Sequence, residues 1–181
     1  MTTLKDLTGT WTIDPSHTEA GFVARHAMVT KVRGSFTDVT GTANFDNGVD
    51  GGQIDVTIKA ESVDTRSADR DAHLRSEDFF EVEKYPTITF KSTDVKAVDE
   101  YTLRVTGDLT IKDVTKPVTI DFDFQGVVTD PWGNERAGLE GSVVVNRKDF
   151  GLQWNAALEA GGVLVSEKVT LQFEVSATKN A

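Results

Sequence analysis

Chemistry in this chain would have to come from three histidines, a serine beside one of them, and a cluster of arginines. There is no cysteine, so neither a thiolate nucleophile nor a thiolate metal site is available. His17, His26 and His73 stand in "DPSHT", "ARHAM" and "RDAHL". Imidazoles could hold a metal or ligate a haem, which makes a haem- or metal-binding protein using His26 or His73 one alternative. Their spacing argues against it, because no two lie at i, i+2 or i, i+4. Asp14 near His17 reads as ordering a turn. Ser16 and His17 are neighbours, and neighbours in a strand point to opposite sides, so a nucleophile and base are not expected there. The chain has no Gly-x-Ser-x-Gly elbow, phosphate-cradling glycine loop or His-Glu-x-x-His helix. An enzyme acting on a lipophilic substrate is the other alternative, and no enzyme or cofactor is expected.

The arginines lie in "DTRSADRDAHLRSEDFFEVEKYPTITF", Asp64 to Phe90. About twenty residues between two strands exceed a hairpin loop and suggest function or a packed lid. Ser67 can cap a helical turn starting at Ala68, and Ser76 a second with Glu77 and Asp78 in its first turn. Tyr85-Pro86 then forces extended backbone. Phe79 and Phe80 either join the core or close a mouth. Arg66, Arg70 and Arg75 either pair with neighbouring acids or meet a polar or phosphate head group, for which a guanidinium fork is suited.

The elements that would position these residues are strands. Apolar residues alternate at Ile54, Val56, Ile58 and Ala60, at Leu103, Val105, Leu109 and Ile111, at Val118, Ile120, Phe122 and Phe124, and at Val169, Leu171, Phe173 and Val175. Further strands are expected near residues 10–14, 19–26, 33–46, 87–97 and 137–148, roughly eight or nine in all, with turns at "DNGVDGG", "VDEY" and "DPWGNE". Several run to about 12 residues, close to 40 Å, which favours a closed barrel over a sandwich. On the apolar face of "EAGFVARH" parity places Ala20, Phe22, Ala24 and His26 inward. Ala60 and Gly107 are also inward and small, so an elongated apolar tunnel is expected rather than a filled core. In "NRKDFGLQW" the chain turns at Gly151, leaving Phe150, Leu152 and Trp154 to plug one barrel end, Leu152 or Trp154 lining a ligand in the alternative reading.

The 181 residues fit a single domain, 1–181, and 29 acidic against 19 basic side chains give a net charge of −10. Phosphate backbones and anionic surfaces would be repelled, so nucleic acid is not an expected partner. No apolar run approaches the ~20 residues of a membrane span. "MTTLKDLTGTWTID" has no basic region followed by an apolar one, so a soluble, cytoplasmic protein is expected.

"TWTIDPSHTEAGFVARHAMVTKVRGSF", "RDAHLRSEDFFEVEKYPTITF", "GDLTIKDVTKPVT" and "NRKDFGL", four motifs in order over nearly the whole chain, resemble the signatures of the YceI-like family, lipocalin-like polyisoprenoid-binding proteins of bacteria. "GTW" at Gly9–Trp11 is similar to the Gly-x-Trp motif of lipocalins. The resemblance implies an all-β fold: an extended eight-stranded antiparallel lipocalin-like barrel with a short helical segment between two strands. It also implies a long isoprenoid, quinone or similar lipid held in the lumen, often in a homodimer. Many members carry a secretory leader, a pattern from which this sequence departs. The expected ligand-binding residues are Ala20, Phe22, Ala24, His26, Phe36, Ile58, Phe79, Phe80, Phe90, Leu109, Phe122, Phe124, Trp154 and Phe173, with Arg66, Arg70 and Arg75 as candidate head-group contacts.

Overall fold

The computed structural model describes residues 2–158 and 164–180. Eleven strands form one sheet: β1 (Gly9–Ile13), β2 (Glu19–His26), β3 (Thr30–Phe36), β4 (Val39–Phe45), β5 (Gln53–Lys59), β6 (Val63–Asp64), β7 (Thr87–Ala97), β8 (Thr102–Ile111), β9 (Val114–Thr129), β10 (Glu135–Asn146) and β11 (Lys168–Lys179). All pairings are antiparallel. β11 takes β10 along one edge and both β2 and β1 along the other, which closes the sheet. Three staves are each made of two strands, β1 with β2, β3 with β4 and β5 with β6, so the eleven strands make an eight-stranded closed barrel.

The breaks in those three staves line up as one crease. Asp14 caps a 3-10 turn at Pro15–His17, and Ala60–Ser62 forms another. Between them the Thr37 N–H donates to the Ser62 carbonyl (3.1 Å) and the Asp38 N–H to the Ser62 hydroxyl (3.1 Å). The backbone thus stays paired where the strands bend. Inside the sheet, glycine admits aromatic rings. A Cβ at Gly107 would lie 2.5 Å from the Phe90 ring, and one at Gly34 would overlap Phe22. The expectation that Gly107 leaves space is therefore corrected: the Phe90 ring fills the place its side chain lacks.

Packing divides the interior into two. At the base, Leu4, Leu7, Trp11, Phe45, Val95, Leu103, Val105 and Phe124 form a buried cluster. A 3-10 turn at Leu4–Asp6 tucks under it, its Leu4 N–H donating to the Glu100 carbonyl (2.9 Å). Trp11 is 2% exposed and its indole donates to the Thr8 carbonyl (3.0 Å), so its polar edge is satisfied while its rings are buried. The upper cluster includes Ile58, Phe79, Ile88, Leu109, Ile120, Phe150 and Leu152. Outward positions of β8 and β9 carry Arg104, Asp108, Asp121 and Asp123, with Arg104 and Asp121 paired at 2.8 Å. On these two strands the outer face differs from that of a membrane-spanning barrel, whose outer band is apolar. Among the described residues, no helix is long and apolar enough to cross a membrane.

The segment between β6 and β7 covers the upper end. Helix α1 (Ala68–Arg75) is capped by the Ser67 hydroxyl, which accepts from the Arg70 N–H (3.4 Å), as its sequence predicts. Ser76 ends α1 with its hydroxyl donating to the His73 carbonyl (2.5 Å), and the same hydroxyl caps the turn that follows through Phe79 and Phe80 by accepting from the Asp78 N–H (3.3 Å), a turn that does not continue as a helix.

Candidate ligand chamber

The barrel interior is packed tightly against one wall and loosely against the other. On β8 every inward residue, Leu103, Val105, Gly107, Leu109 and Ile111, is buried. On β11 the inward Val169, Leu171, Phe173 and Val175 remain only half-buried although they point away from bulk solvent, and Phe22 and Phe36 on β2 and β3 do the same. What they face is a chamber of about 260 Å³. It is bordered by β11 from Val169 to Ala177, about 26 Å of strand. Its lining side chains are apolar except for Thr18, Glu19, Thr42, Thr89 and Arg147.

Eleven of the expected residues line it. Ala20, Phe22 and Ala24 come from β2, Phe36 from β3, Ile58 from β5, and Phe90 and Leu109 from β7 and β8. Phe122 and Phe173 come from β9 and β11, and Phe79 and Phe80 from the cover. The rings continue from the wall into the cover: Phe22 to Phe36 is 5.8 Å between centroids, and Phe36 to Phe80 is 5.5 Å, edge-on.

Three expected residues do not line the chamber. His26 is exposed. It is the last residue of β2, paired with Thr30 and by a single bridge with Val165; parity is kept, but the strand outruns the cavity. Phe124 is buried in the basal cluster instead. Trp154 lies behind the cover, its ring edge-on to His73 (4.6 Å) and tilted against Phe79 (5.5 Å). It braces the cover, while Leu152 and Phe150 reach the chamber wall. Ala60, also expected inward, is buried in the upper core without lining the cavity.

The three arginines of the cover are not at the cavity either. Arg70 donates from Nε to the Thr65 hydroxyl (2.7 Å) and from Nη2 to the Thr65 carbonyl (2.6 Å). Arg75 donates to the carbonyls of Glu61 (2.8 Å) and Val63 (3.0 Å). Arg70 thus fastens α1 to the chain just leaving β6, and Arg75 ties it to the barrel edge, through backbone carbonyls and one hydroxyl rather than through the acids expected from sequence. Arg66 is exposed at a left-handed turn, φ 65°. Buried Asp71 completes the attachment, one carboxylate oxygen accepting from both the N–H (2.8 Å) and the hydroxyl (2.5 Å) of Thr65.

Neither His26 nor His73 offers an axial ligand to the cavity. The His73 Nε2 is 2.8 Å from the Asp78 carboxylate. Ser16 and His17 sit in a 3-10 turn rather than a strand, so the opposed geometry expected for them does not hold: the hydroxyl is 3.0 Å from His17 Nδ1. That same nitrogen is 2.9 Å from Asp14, whereas a catalytic triad needs serine and carboxylate on opposite ring nitrogens. Asp14 in turn accepts from Arg136 (2.7 Å), which with the Ser16 hydroxyl and His17 holds its carboxyl well below the usual carboxylate range. The cluster ties the crease to β10.

The residue that sequence reasoning missed is Arg147. It is 5% exposed and lines the chamber at its upper end. Period two along β10 contains the signal: Ala137, Leu139, Gly141, Val143 and Val145 precede it at steps of two. The guanidinium donates from Nε to the Ser166 carbonyl (2.8 Å), from Nη1 to that of Leu152 (2.5 Å) and from Nη2 to that of Val165 (3.3 Å). Burial lowers its pKa, and nearby Glu167 opposes that.

Comparison with known proteins agrees with this architecture. The YceI-like domain family matches residues 11–177. A UPF0312 protein of Pseudomonas aeruginosa is 45% identical over 138 residues, 76% of this chain and 72% of that protein. The Campylobacter jejuni YceI protein superposes with a TM-score of 0.74 at 31% identity, covering 87% of this chain and 90% of the other. A polyisoprenoid binding domain from Saccharophagus degradans superposes equally well, TM-score 0.74, over 94% and 98% of the two chains. At 16% identity it shares the fold. A family match running from Trp11 in the base to Ala177 at the end of β11, with relatives this similar, means that the chain belongs to the YceI-like family.

Proposed function

We propose that the protein binds one long apolar or amphiphilic chain, of isoprenoid type, in its lumen and shields it from water. The observation that carries this reading is the loosely packed wall of the barrel: inward Val169, Leu171, Phe173 and Val175 keep accessible surface against an apolar chamber. Burying a methylene is worth ~0.8 kcal/mol, so a long chain supplies the free energy for tight binding after ordering costs. The polyisoprenoid binding domain from Saccharophagus degradans, with the same fold, supports the choice of chain. The prenyl tail of a quinone is of the same chemistry, and carriage between membranes or enzymes is the role such shielding serves. Binding rather than catalysis is the reading, since among the described residues the chamber wall is mostly apolar and pairs no nucleophile with a base.

Protein stripped of lipid by solvent extraction is titrated with geranylgeraniol and followed by native mass spectrometry. Saturable binding of one molecule per barrel is the expected result. Absence of saturable binding by geranylgeraniol, and of any co-purified lipid before stripping, refutes the reading.

A further inference from the structure

A charged side chain in an apolar wall calls for an explanation. Among the described chamber-lining residues Arg147 alone is both charged and buried, since Glu19 is exposed. A guanidinium has five N–H donors. Three go to backbone carbonyls of Leu152, Val165 and Ser166, which leaves one N–H on each terminal nitrogen. Carbonyls satisfy donors but do not neutralise charge. Among the described residues no carboxylate contacts Arg147; Glu167 is spent on Lys148 at 2.9 Å, with both side chains nearly half-exposed. Bridging these three carbonyls would not by itself need a cation, because a neutral donor can do so, and burying a charge with no carboxylate in contact is costly.

We propose that Arg147 is the head-group site of the lumen, and that the natural ligand is an anionic amphiphile whose carboxylate or phosphate meets this guanidinium while its tail lies along β11. This rests on the lumen reading above and narrows it from apolar chains to acidic ones. The site is positioned before any ligand arrives. The three carbonyl bonds fix the plane of the guanidinium, and the two remaining N–H groups are the ones an oxyanion takes, in a wall where apolar neighbours strengthen the attraction. The arrangement also orients the ligand. Arg147 stands at the upper end, the one covered by Phe79 and Phe80, so the head lies there and the tail points to Trp11 at the base.

Three ligands with one tail separate the possibilities: geranylgeraniol, geranylgeranoic acid and geranylgeranyl phosphate, titrated into stripped wild-type protein and into Arg147→Gln. In wild type at least one anion is expected to bind roughly 10- to 100-fold more tightly than the alcohol, the range for a charge-assisted contact. In Arg147→Gln that preference should vanish while the alcohol still binds. Equal affinities for all three in wild type would overturn the assignment, and so would an anion preference that survives in Arg147→Gln. Inorganic phosphate displacing the phosphate ester as well as the ester displaces itself would also overturn it, since an amphiphile site requires the tail. If Arg147→Gln does not fold, because it loses the three carbonyl bonds as well, the wild-type comparison decides alone. Binding of the alcohol shows that the lumen reading stands whatever becomes of Arg147, and loss of binding by all three ligands refutes the lumen reading itself.

Discussion

Replacing Ala24 with Trp tests whether the lumen is open at the upper part of β2. Ala24 pairs with Val32 and lines the chamber, two residues beyond Phe22. In a filled core an added indole forces neighbours off their rotamers at a cost of about 1–3 kcal/mol. For a domain of this size that would lower the melting temperature by roughly 2–12 °C. Here the ring enters a chamber of about 260 Å³, so the expected change in melting temperature of stripped protein is within about 2 °C of zero. The same ring takes space from a ligand. If it excludes three to five methylenes at ~0.8 kcal/mol each, affinity falls by about 2–4 kcal/mol, roughly fifty- to a thousandfold. Calorimetry of stripped protein and titration with geranylgeraniol give the two quantities separately. A large drop in melting temperature would mean that the wall near Ala24 is packed, and unchanged affinity would mean that the chain lies elsewhere; either refutes the reasoning.

Phe80→Ala removes a half-buried ring that joins the cover to Phe36, and stopped-flow release of bound geranylgeraniol should accelerate several-fold, whereas an unchanged off-rate would remove Phe80 from any gating role. Asp71→Ala leaves the Thr65 N–H and hydroxyl without their buried acceptor, a cost of about 1–3 kcal/mol that hydrogen exchange should locate in residues 65–75 while β8 stays protected. Asp14→Asn tests the crease. Because Arg136 depresses the folded-state pKa of Asp14, its stabilisation is complete above the unfolded value near 4 and is lost as pH falls from there toward the lower folded value. The variant should therefore be about 1–3 kcal/mol less stable at neutral pH, with the gap to wild type closing below about pH 4; a gap independent of pH would refute the ion pair as its cause.

Strand parity made most of the barrel legible, since a single apolar face repeats at period two wherever a sheet separates a core from water. It also identified the wall residues from Ala20 to Phe173. It failed in two physically distinct ways. Parity says which side a residue faces but not how far along the barrel the cavity extends, so it assigns His26 and Phe124 to the lumen, whereas one outruns it and the other is packed in its base. Nor does parity say what fills a gap: Gly107 reads as empty space in sequence, yet its place is taken by Phe90, brought there by the pairing of β7 with β8. The cover was readable as a capped helix with two rings facing protein. The placement of Arg70 and Arg75 was not, because three of their four bonds go to backbone carbonyls, which no side-chain pattern reveals. Arg147 escaped because a charge ending an apolar series looks like the end of the buried face.

The division between tightly and loosely packed walls bears on how binding couples to stability. Water gains little in an apolar chamber, because an ordered molecule needs two to four polar partners and the walls of β11, β2 and β3 provide almost none. The inward side chains there therefore lack partner atoms on one face when no ligand is present and forfeit the dispersion contacts that the β8 side retains. A ligand tail restores them without asking the backbone to rearrange, since the frame is already closed by the β1–β11 pairing and sealed at the base by Leu4, Leu7 and Trp11. Binding free energy then goes into affinity rather than into folding the site, which is the advantage of preorganisation. On the proposed assignment the buried charge of the site is Arg147, at the covered end, and its carbonyl partners meet much of the cost of burying it in advance. Placing the charge at the covered end and keeping the depth of the lumen apolar lets the wall accept a tail of variable length while the head group sets the orientation.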